Sequence, residues 1–283
     1  MGNQPIDADQ RYMHMSQNWK NKTVLVTGGS SGFGKIIAEA FGQVGARVAI
    51  MGLEEDVTRS AAEEIKALGV ETLAITGNVT EEGDTLQAAE ETAKHFGSID
   101  VLVNCAGRTH RGWILETPSE EIMSLFRLNL LGTVQMTRAA LPFLLKSGSP
   151  SVVNIGSLAA KSASRWVGAY PITKFAVAAF SQQLRLEMRD KGLHVLLVCP
   201  GPIKRNNPRL YPLKDTAGIP NSALLPGAGV KVGKIDPAWL ARKIIRCCEK
   251  KSPELVVPGK ARILFSLAQM FPRLGDWLVL KNT

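Results

Sequence analysis

The stretch KTVLVTGGSSGFG, Lys22 to Gly34, passes from an apolar, β-branched run into a series of glycines. The residues that follow, KIIAEAFGQVGA, place Ile36, Ile37, Ala40 and Phe41 at helical spacing. The stretch therefore predicts a strand, a tight turn and a helix, in that order.

Glycines fall in this turn as G-x-x-x-G-x-G, at Gly28, Gly32 and Gly34. Glycine lets the backbone turn sharply and approach a pyrophosphate, whose charge then faces the N-terminus of the helix. A tight turn that binds nothing is the alternative. In a strand-turn-helix context, the pattern predicts dinucleotide binding.

The same alternation continues along the chain. RVAIMG precedes a helical pattern through Val57 and Ile65, and TLAITGNV precedes one through Leu86 and Phe96. Further apolar strands are expected in IDVLVNCAG, SVVNIGS and HVLLVCPG. Apolar strands that alternate with helices indicate a parallel sheet covered on both faces. The prediction is an α/β fold, a single-domain, Rossmann-like, doubly wound parallel sheet with helices on both faces.

The predicted domain spans residues 21–258, after an N-terminal tail at 1–20. Residues 202–235 are rich in Pro, Gly and Asn and are expected to form a long loop or substrate lid. In TPSEE, Thr117 is predicted to cap a helix, with Pro118 at its first position and Glu120 completing a capping box. That helix is expected to run to about Leu145.

The net charge of +9 is concentrated near the C-terminus. From Lys231 onward there are eleven Lys or Arg and four Asp or Glu, so 11 − 4 = +7 lies there. No aromatic-interleaved basic run and no metal-ligand spacing occurs, so neither nucleic acid nor a metal is expected. An acidic ligand or a membrane surface remains open.

The chain has no apolar run of membrane-spanning length and no signal-peptide core. A cytoplasmic protein is expected, with peripheral membrane association as an alternative. The four cysteines have no metal or disulfide spacing and are expected to be reduced and mostly buried.

The stretch YPITK places Lys174 four residues after Tyr170, so both side chains project from one face of a helix start. Pro171 is tolerated in a first helical turn. A nearby cation and a helix N-terminus both favour phenolate, which makes tyrosine a usable general acid or base. Ser157 ends a predicted strand at the carboxyl edge of the sheet, thirteen residues earlier. A serine that only caps a turn and a surface Tyr/Lys pair are the alternatives.

Together these elements resemble the short-chain dehydrogenase/reductase family, from about Lys22 to Val257. The matching motifs are TGGSSGFG, NVT, NCAG, RLNLLG, Ser157, YPITK and PGPI. The resemblance implies that Tyr170 transfers the substrate proton and that Ser157 hydrogen-bonds the substrate oxygen. It also implies that Lys174 holds the nicotinamide ribose, and that Asn129 keeps a water that relays protons.

The resemblance further implies a set of residues that bind NAD(P). They are Gly28, Ser30, Ser31, Gly32, Phe33, Gly34, Asn78, Val79, Asn104, Ala106, Gly107, Tyr170, Lys174, Pro200, Gly201 and Ile203. Asn78 stands where the family usually has Asp. Arg205 stands where threonine is common, which puts the usual carboxamide contact in question.

The residues that set cofactor preference are expected at the end of the second strand. There, Gly52 and Leu53 stand where a carboxylate would bind the NAD ribose. No arginine for an NADP phosphate is present there either. Because no carboxylate excludes the phosphate, NADP(H) is favoured over NAD(H).

Weaker candidates surround these motifs. His14, His95, His110 and His194 are expected to be surface or packing residues. Arg108, His110 and Arg111 either line the substrate entrance or, as the favoured interpretation, form a solvated loop. Trp113 and Trp166 either wall an apolar pocket or belong to the core.

The predicted function is an NAD(P)-dependent oxidoreductase that interconverts an alcohol and a carbonyl, on an apolar, steroid- or lipid-like substrate. The alternative is a non-catalytic, dinucleotide-binding regulatory protein. The complete set of Asn129, Ser157, Tyr170 and Lys174 favours the enzyme.

Two interaction surfaces are also expected. A homo-oligomer would form through helices at about 118–145 and 170–190, sharing Phe126, Leu130, Phe175 and Phe180. The C-terminal extension, 259–283, is amphipathic. It either packs on protein or lies in a membrane interface.

Overall fold

A computed structural model describes residues 19–205, 211, 218–225, 227–228 and 233–282. The seven strands in these residues form one parallel sheet in the order β3-β2-β1-β4-β5-β6-β7. The strands are β1 Thr23–Thr27, β2 Arg47–Gly52, β3 Thr72–Thr76, β4 Val101–Asn104, β5 Ser151–Ile155, β6 His194–Pro200 and β7 Glu254–Val257.

The strand order reverses beside β1, which pairs with β2 on one side and β4 on the other. Ligands of open α/β sheets bind outside the carboxyl ends of the strands at such a switch point. The turns after β1 and β4 therefore flank the expected binding crevice.

Helices alternate with the strands along the chain. They are α1 Gly32–Gln43, α2 Glu55–Ala67, α3 Glu82–Phe96, α4 Ser119–Phe126, α5 Gly132–Leu144, α6 Tyr170–Glu187, α7 Asn221–Leu224, α8 Pro237–Glu249, α9 Lys260–Met270 and α10 Pro272–Asn282. A π-helical turn, Arg127–Leu131, joins α4 to α5 without a break. The long helix expected to end near Leu145 is thus confirmed.

Both faces of the sheet are covered by hydrophobic core. Successive strand residues point to opposite faces, so Val24 and Val26 join the cluster around Phe41 and Ile244. Leu25 joins the cluster on the other face, around Leu102 and Met136. The predicted doubly wound α/β sheet is confirmed.

Two expectations at the helix and domain boundaries are wrong. Thr117 does not cap α4; its hydroxyl donates to the Trp113 carbonyl oxygen, and Pro118 occupies the cap position with no side-chain bond. Trp19, assigned to the tail, is buried, and its ring packs edge-on against Phe41 at 5.0 Å. The folded domain therefore includes Trp19.

The lid region is described only in part. A chain segment of the predicted lid returns to the body where Ile235 pairs with Ile203. The short helix α7 is also described, whereas most of 206–217 and 229–232 lies outside the described residues.

Candidate active site

The glycine turn brings backbone atoms of β1, α1 and β4 together. Gly28 has a positive φ of 64°, and a Cβ there would lie 3.0 Å from the Ala106 backbone. A Cβ on Gly34 would overlap the Gly28 carbonyl oxygen. Only glycine fits the turn at both positions, because the left-handed conformation and the close approach each exclude a side chain.

The N-terminus of α1 fits a phosphate. The helix begins at Gly32, where a Cβ would meet no atom within 4 Å, and no acidic residue stands in its first turn. Ser31 occupies the cap position, but its side chain makes no capping bond. The first N–H groups of α1 are therefore accessible to an anionic ligand. Phe33 is partly buried and packs against the core.

Thr27 fixes the turn that follows β4. Its hydroxyl oxygen accepts from the N–H groups of Cys105 at 3.1 Å and Ala106 at 3.2 Å. Asn104 is buried, and its amide donates to Thr137 at 3.0 Å and Asn154 at 2.9 Å. The Asn104 side chain is thus held in a buried hydrogen-bond network. Asn104 stands at the end of β4, at the edge where a ligand would bind.

Asn78 and Val79 shape the loop after β3. The Asn78 side-chain oxygen accepts from the Thr80 N–H at 3.0 Å, and its own N–H donates to Asp84 at 2.8 Å. Val79 is buried against Gly132 of α5, where an added Cβ would come 2.7 Å from it. These bonds place the loop at the carboxyl edge of the sheet.

Asn129 lies in the π-helical turn and is buried. Its side-chain oxygen accepts from the Arg108 N–H at 2.9 Å, while its amide donates to the Arg108 carbonyl oxygen and to Thr173 Oγ1, each at 3.0 Å. One side chain therefore joins the loop after β4 to α6. π-helical turns occur frequently at functional sites.

Lys174 is buried next to this amide. Its ammonium nitrogen donates to the Ile155 carbonyl oxygen at 2.8 Å and lies 5.9 Å from the centre of the Tyr170 ring. A Cβ on Gly107 would approach both Asn129 Oδ1, at 2.9 Å, and Lys174 Nζ, at 3.8 Å. The residues predicted for proton transfer, Asn129, Tyr170 and Lys174, thus lie around the ends of β4 and β5.

Ser157 stands two residues beyond the end of β5. Its hydroxyl oxygen accepts from the Ala159 N–H at 3.1 Å, which occupies a lone pair and leaves the hydroxyl hydrogen for another acceptor. The preceding Gly156 has little space, because a Cβ would lie 3.0 Å from the Val198 carbonyl oxygen. The β5–β6 pairing therefore sets where Ser157 sits.

The PGPI segment leaves β6 at the same edge. Pro200 is buried, and the Gly201 N–H donates to the Val257 carbonyl oxygen of β7 at 2.7 Å. Ile203 then pairs with Ile235. Backbone bonds thus hold Pro200, Gly201 and Ile203 beside the site.

The stretch after NCAG is not the solvated loop that the sequence favoured. His110 and Arg111 are both buried. Arg111 donates from Nε to the Ala223 carbonyl oxygen at 2.7 Å and from Nη2 to Leu225 O at 3.3 Å. Its guanidinium carbon lies 4.9 Å from the Tyr211 ring centre. The reason for the error is tertiary, because lid residues distant in sequence contact Arg111 and Gly168 lies against the His110 ring.

A contact between Gly168 and His110, which the sequence did not predict, lies just before Tyr170 in the chain. Gly112 pairs with Val167, and Gly168 has a positive φ of 48°. A Cβ on Gly168 would overlap the ring of His110. The only local signal for this contact is the glycine two residues before Tyr170.

Trp113 and Trp166 flank this bridge. Their ring centres are 6.2 Å apart in an edge-to-face arrangement, and Trp113 is 40% exposed. The two tryptophans therefore form a partly exposed aromatic pair beside the Gly112–Val167 bridge.

Of the remaining histidine candidates, His95 and His194 lie away from this edge. His95 is exposed on α3, His194 is buried at the start of β6, and His14 lies outside the described residues. Among the described residues, no group of three or more His, Cys, Asp or Glu could hold a metal ion. The cysteines are free thiols, as expected, and burial raises the pKa of Cys199 to about 12.

Comparisons with known proteins identify the family. The family model described as short chain dehydrogenase matches residues 22–209. The chain is 35% identical to the uncharacterized oxidoreductase YhdF of Bacillus subtilis, over 70% of this chain and 68% of that protein. It is 36% identical to a 3-oxoacyl-[acyl-carrier-protein] reductase of Rattus norvegicus, over 64% of this chain and 75% of the relative.

A solved structure matches nearly the whole chain. A short-chain dehydrogenase from Streptomyces avermitilis superposes with a TM-score of 0.76 at 31% identity, covering 92% of this chain and 97% of that one. No helix among the described residues has the length and apolar character needed to cross a membrane. From its sequence, its fold and these relatives, the chain belongs to the short-chain dehydrogenase/reductase family, a family of NAD(P)-binding oxidoreductases.

Proposed function

We propose that this enzyme interconverts an alcohol and a carbonyl, with Tyr170 as the general acid and base. The observation that carries the proposal is the position of Tyr170 one helical turn from Lys174, at the start of α6. The bound NAD(P) would supply or accept the hydride. The alternative of a binding protein without turnover is not favoured, because it has no use for proton-transfer groups.

Tyr170 begins α6 and is half-buried. Near the N-terminus of a helix the macrodipole stabilises negative charge, and the Lys174 ammonium group does the same. Both effects favour phenolate, so the hydroxyl can exchange a proton with the substrate oxygen.

Ser157 would orient that oxygen. Because its hydroxyl oxygen already accepts from Ala159 N–H, the hydroxyl hydrogen is directed to another acceptor. A substrate oxygen bonded by both Ser157 and Tyr170 would be held for proton transfer.

Lys174 and Asn129 would connect Tyr170 to solvent. Lys174 donates to the Ile155 carbonyl oxygen, and an ammonium group carries three donor hydrogens, so in the proposed mechanism it would also bond a ribose hydroxyl and a water. Asn129 Oδ1 lies near Gly107, as Lys174 Nζ does, and Asn129 would hold that water. Protons would then pass from Tyr170 through Lys174 to solvent.

NADP(H) is the proposed cofactor because of the residue types at the end of β2. Gly52 leaves no room for a side chain, since a Cβ would overlap Thr58 Oγ1 and lie 2.7 Å from Ser30. Leu53 is exposed and uncharged. Neither residue offers the carboxylate that would repel a 2′-phosphate.

An apolar substrate is proposed because exposed apolar side chains lie on the segments near the site. Trp113, Ile114 and Leu115 are exposed apolar residues on the segment that follows Gly112, and Leu225 is exposed at the end of α7. Exposed apolar side chains near a polar catalytic edge favour a ligand with a large apolar part. A panel of ketones from small carbonyls to keto-lipids would test this proposal.

A homo-oligomer is proposed through α4 to α6. Met123, Leu131, Ile172 and Phe175 are exposed apolar side chains on these helices. Of the residues expected to be shared, Leu130 and Phe180 pack against the core and Phe175 is exposed. A mass above that of the monomer in light scattering would support this assembly.

Replacing Tyr170 with Phe tests the mechanism, because it removes only the hydroxyl. We expect kcat to fall by about 100-fold or more, since general acid-base catalysis contributes about 10² to 10⁴. Cofactor binding, followed by NADPH fluorescence, should remain within threefold. Tyr211→Phe is the matched control, because it also loses a hydroxyl, one bonded to Thr109 at 3.1 Å. Near-normal turnover of Tyr170→Phe would refute the assigned role.

A further inference from the structure

Among the described residues, the two C-terminal helices, α9 and α10, carry the largest set of exposed apolar residues on one segment. We call residues 260–282 the helix pair. Its exposed large apolar residues are Ile263, Leu264, Leu267, Met270, Phe271, Leu274, Trp277 and Leu280. An exposed apolar surface of this kind marks an interaction site.

The helix pair has an inner and an outer apolar stripe. On α9, Ala261, Phe265 and Ala268 are half-buried at intervals of four and three residues. Gly275 of α10 is buried against Ala268, where an added Cβ would approach to 2.8 Å. The contact between the two helices therefore includes Ala268 of this inner stripe and Gly275.

The outer stripe faces away from that contact. On α9, Ile263, Leu267 and Met270 recur at intervals of four and three, and Ile263 and Met270 are 69% and 70% exposed. On α10, Leu274, Trp277 and Leu280 recur at intervals of three. Each helix thus presents one apolar stripe to its neighbour and another to the surroundings.

Cations border the outer stripe. The segment 260–281 contains Lys260, Arg262, Arg273 and Lys281 against Asp276, so its net charge is 4 − 1 = +3. The Lys281 ammonium lies 4.9 Å from the Trp277 ring centre. Apolar residues with a tryptophan and flanking cations are the composition that lies in the headgroup region of a bilayer.

From this geometry and charge, we propose that the helix pair docks in the plane of an anionic lipid surface. Each helix has 11 residues and is therefore about 16 Å long, too short to cross a hydrocarbon core of about 30 Å. A second copy of the chain is the less suitable occupant, because a two-fold interface would bring two +3 surfaces together.

The docked surface adjoins the catalytic edge. All strands are parallel, so β7 ends at the edge where β4, β5 and β6 end. Gly201 donates to the Val257 carbonyl oxygen, and α9 begins at Lys260. Lipid docking would therefore place the site edge next to the membrane.

The test measures binding of the full chain to vesicles, without cofactor or substrate, so its outcome is independent of the proposed reaction. Vesicles of phosphatidylcholine with one-third phosphatidylglycerol are floated through a density gradient at low salt. We expect the protein to float with them, and to stay at the bottom with pure phosphatidylcholine or at high salt.

Two variants assign the binding to the helix pair. Arg273→Gln combined with Lys281→Gln should weaken binding about 25-fold, because each cation near an anionic surface contributes about fivefold. Met270→Asp should abolish it. The matched controls are Lys94→Gln and Leu68→Asp, exposed positions elsewhere, and both should bind as the unchanged protein does.

Three results would overturn the proposal. The protein could stay unbound with anionic vesicles at low salt, or the helix-pair variants could bind as strongly as the controls. Met270→Asp could also lower the oligomer mass in light scattering without affecting flotation, which would assign the stripe to a second copy.

Discussion

Arg111 Nε donates to the carbonyl oxygen of Ala223 at 2.7 Å, so a buried cation holds helix α7 against the loop that follows β4. The same guanidinium bonds the carbonyl oxygens of His110 and Leu225 and lies over the Tyr211 ring. Arg111 thus joins the described parts of the lid to the strand end that carries NCAG.

Arg111→Met should loosen this part of the lid. Hydrogen bonds from a charged donor each contribute about 1.5 to 3 kcal/mol, so amide exchange in 219–225 should rise at least tenfold. We expect KM for the carbonyl substrate to rise about tenfold while kcat changes less. Arg138→Met, at an exposed position on α5, is the control. Unchanged exchange in 219–225 would contradict the tether.

Gly168→Ala should destabilise the protein at the segment that precedes Tyr170. The alanine would adopt an unfavourable positive φ and its Cβ would overlap His110, so we expect a loss of about 2 kcal/mol or more of unfolding free energy. Gly148→Ala, which meets no atom within 4 Å, is the control. Combining Gly168→Ala with His110→Ala should restore part of the loss, and denaturant unfolding measures all three. If the double variant is no better than the sum of the single ones, the contact is not the cause.

Cofactor choice should respond to charge at Leu53. Because this side chain is exposed, Leu53→Arg and Leu53→Asp should both fold. Leu53→Arg should raise the ratio of kcat/KM for NADPH over NADH about tenfold, and Leu53→Asp should lower it by a similar factor. In the unchanged protein NADPH is expected to be the better cofactor. A preference for NADH there would contradict the NADP(H) proposal.

The unfolding free energy should fall as the pH drops through the range in which His194 becomes protonated. Burial, together with Lys251 and Arg185, lowers the pKa of His194 below its usual 6.5, although the bond to Ser252 opposes this shift. The unfolded chain then binds the proton first, so the stability contributed by neutral His194 is complete above pH 6.5 and is lost as the pH falls toward the folded pKa. We expect the unfolding free energy of the unchanged protein to decline in this window.

His194→Gln should reduce that decline, because glutamine keeps a donor for the Ser252 carbonyl oxygen, 2.7 Å from His194 Nε2, but does not titrate. His95→Gln, at an exposed position, should leave the decline unchanged. An equal pH dependence in the His194 variant would show that other groups cause it.

The sequence by itself determined the architecture, because its signals are local. The apolar runs at Val24 to Val26 and Val101 to Val103, each followed by glycine, predict parallel strands whose ends meet at one edge. Once that edge is expected, Ser157 and the pair Tyr170 and Lys174 fall on it by position alone. The helix spacing of i and i+4 decides that the pair shares a face.

Only the tertiary structure decided which polar residues are buried and what covers them. Arg111 contacts Ala223 and His110 lies under Gly168, separations of more than fifty residues that leave no periodic pattern around either residue. Hydrophobic periodicity reports which face of an element is buried, but loops follow no period. Trp19 shows the same limit, because a short segment before β1 packs on Phe41 without a helical or strand pattern of its own.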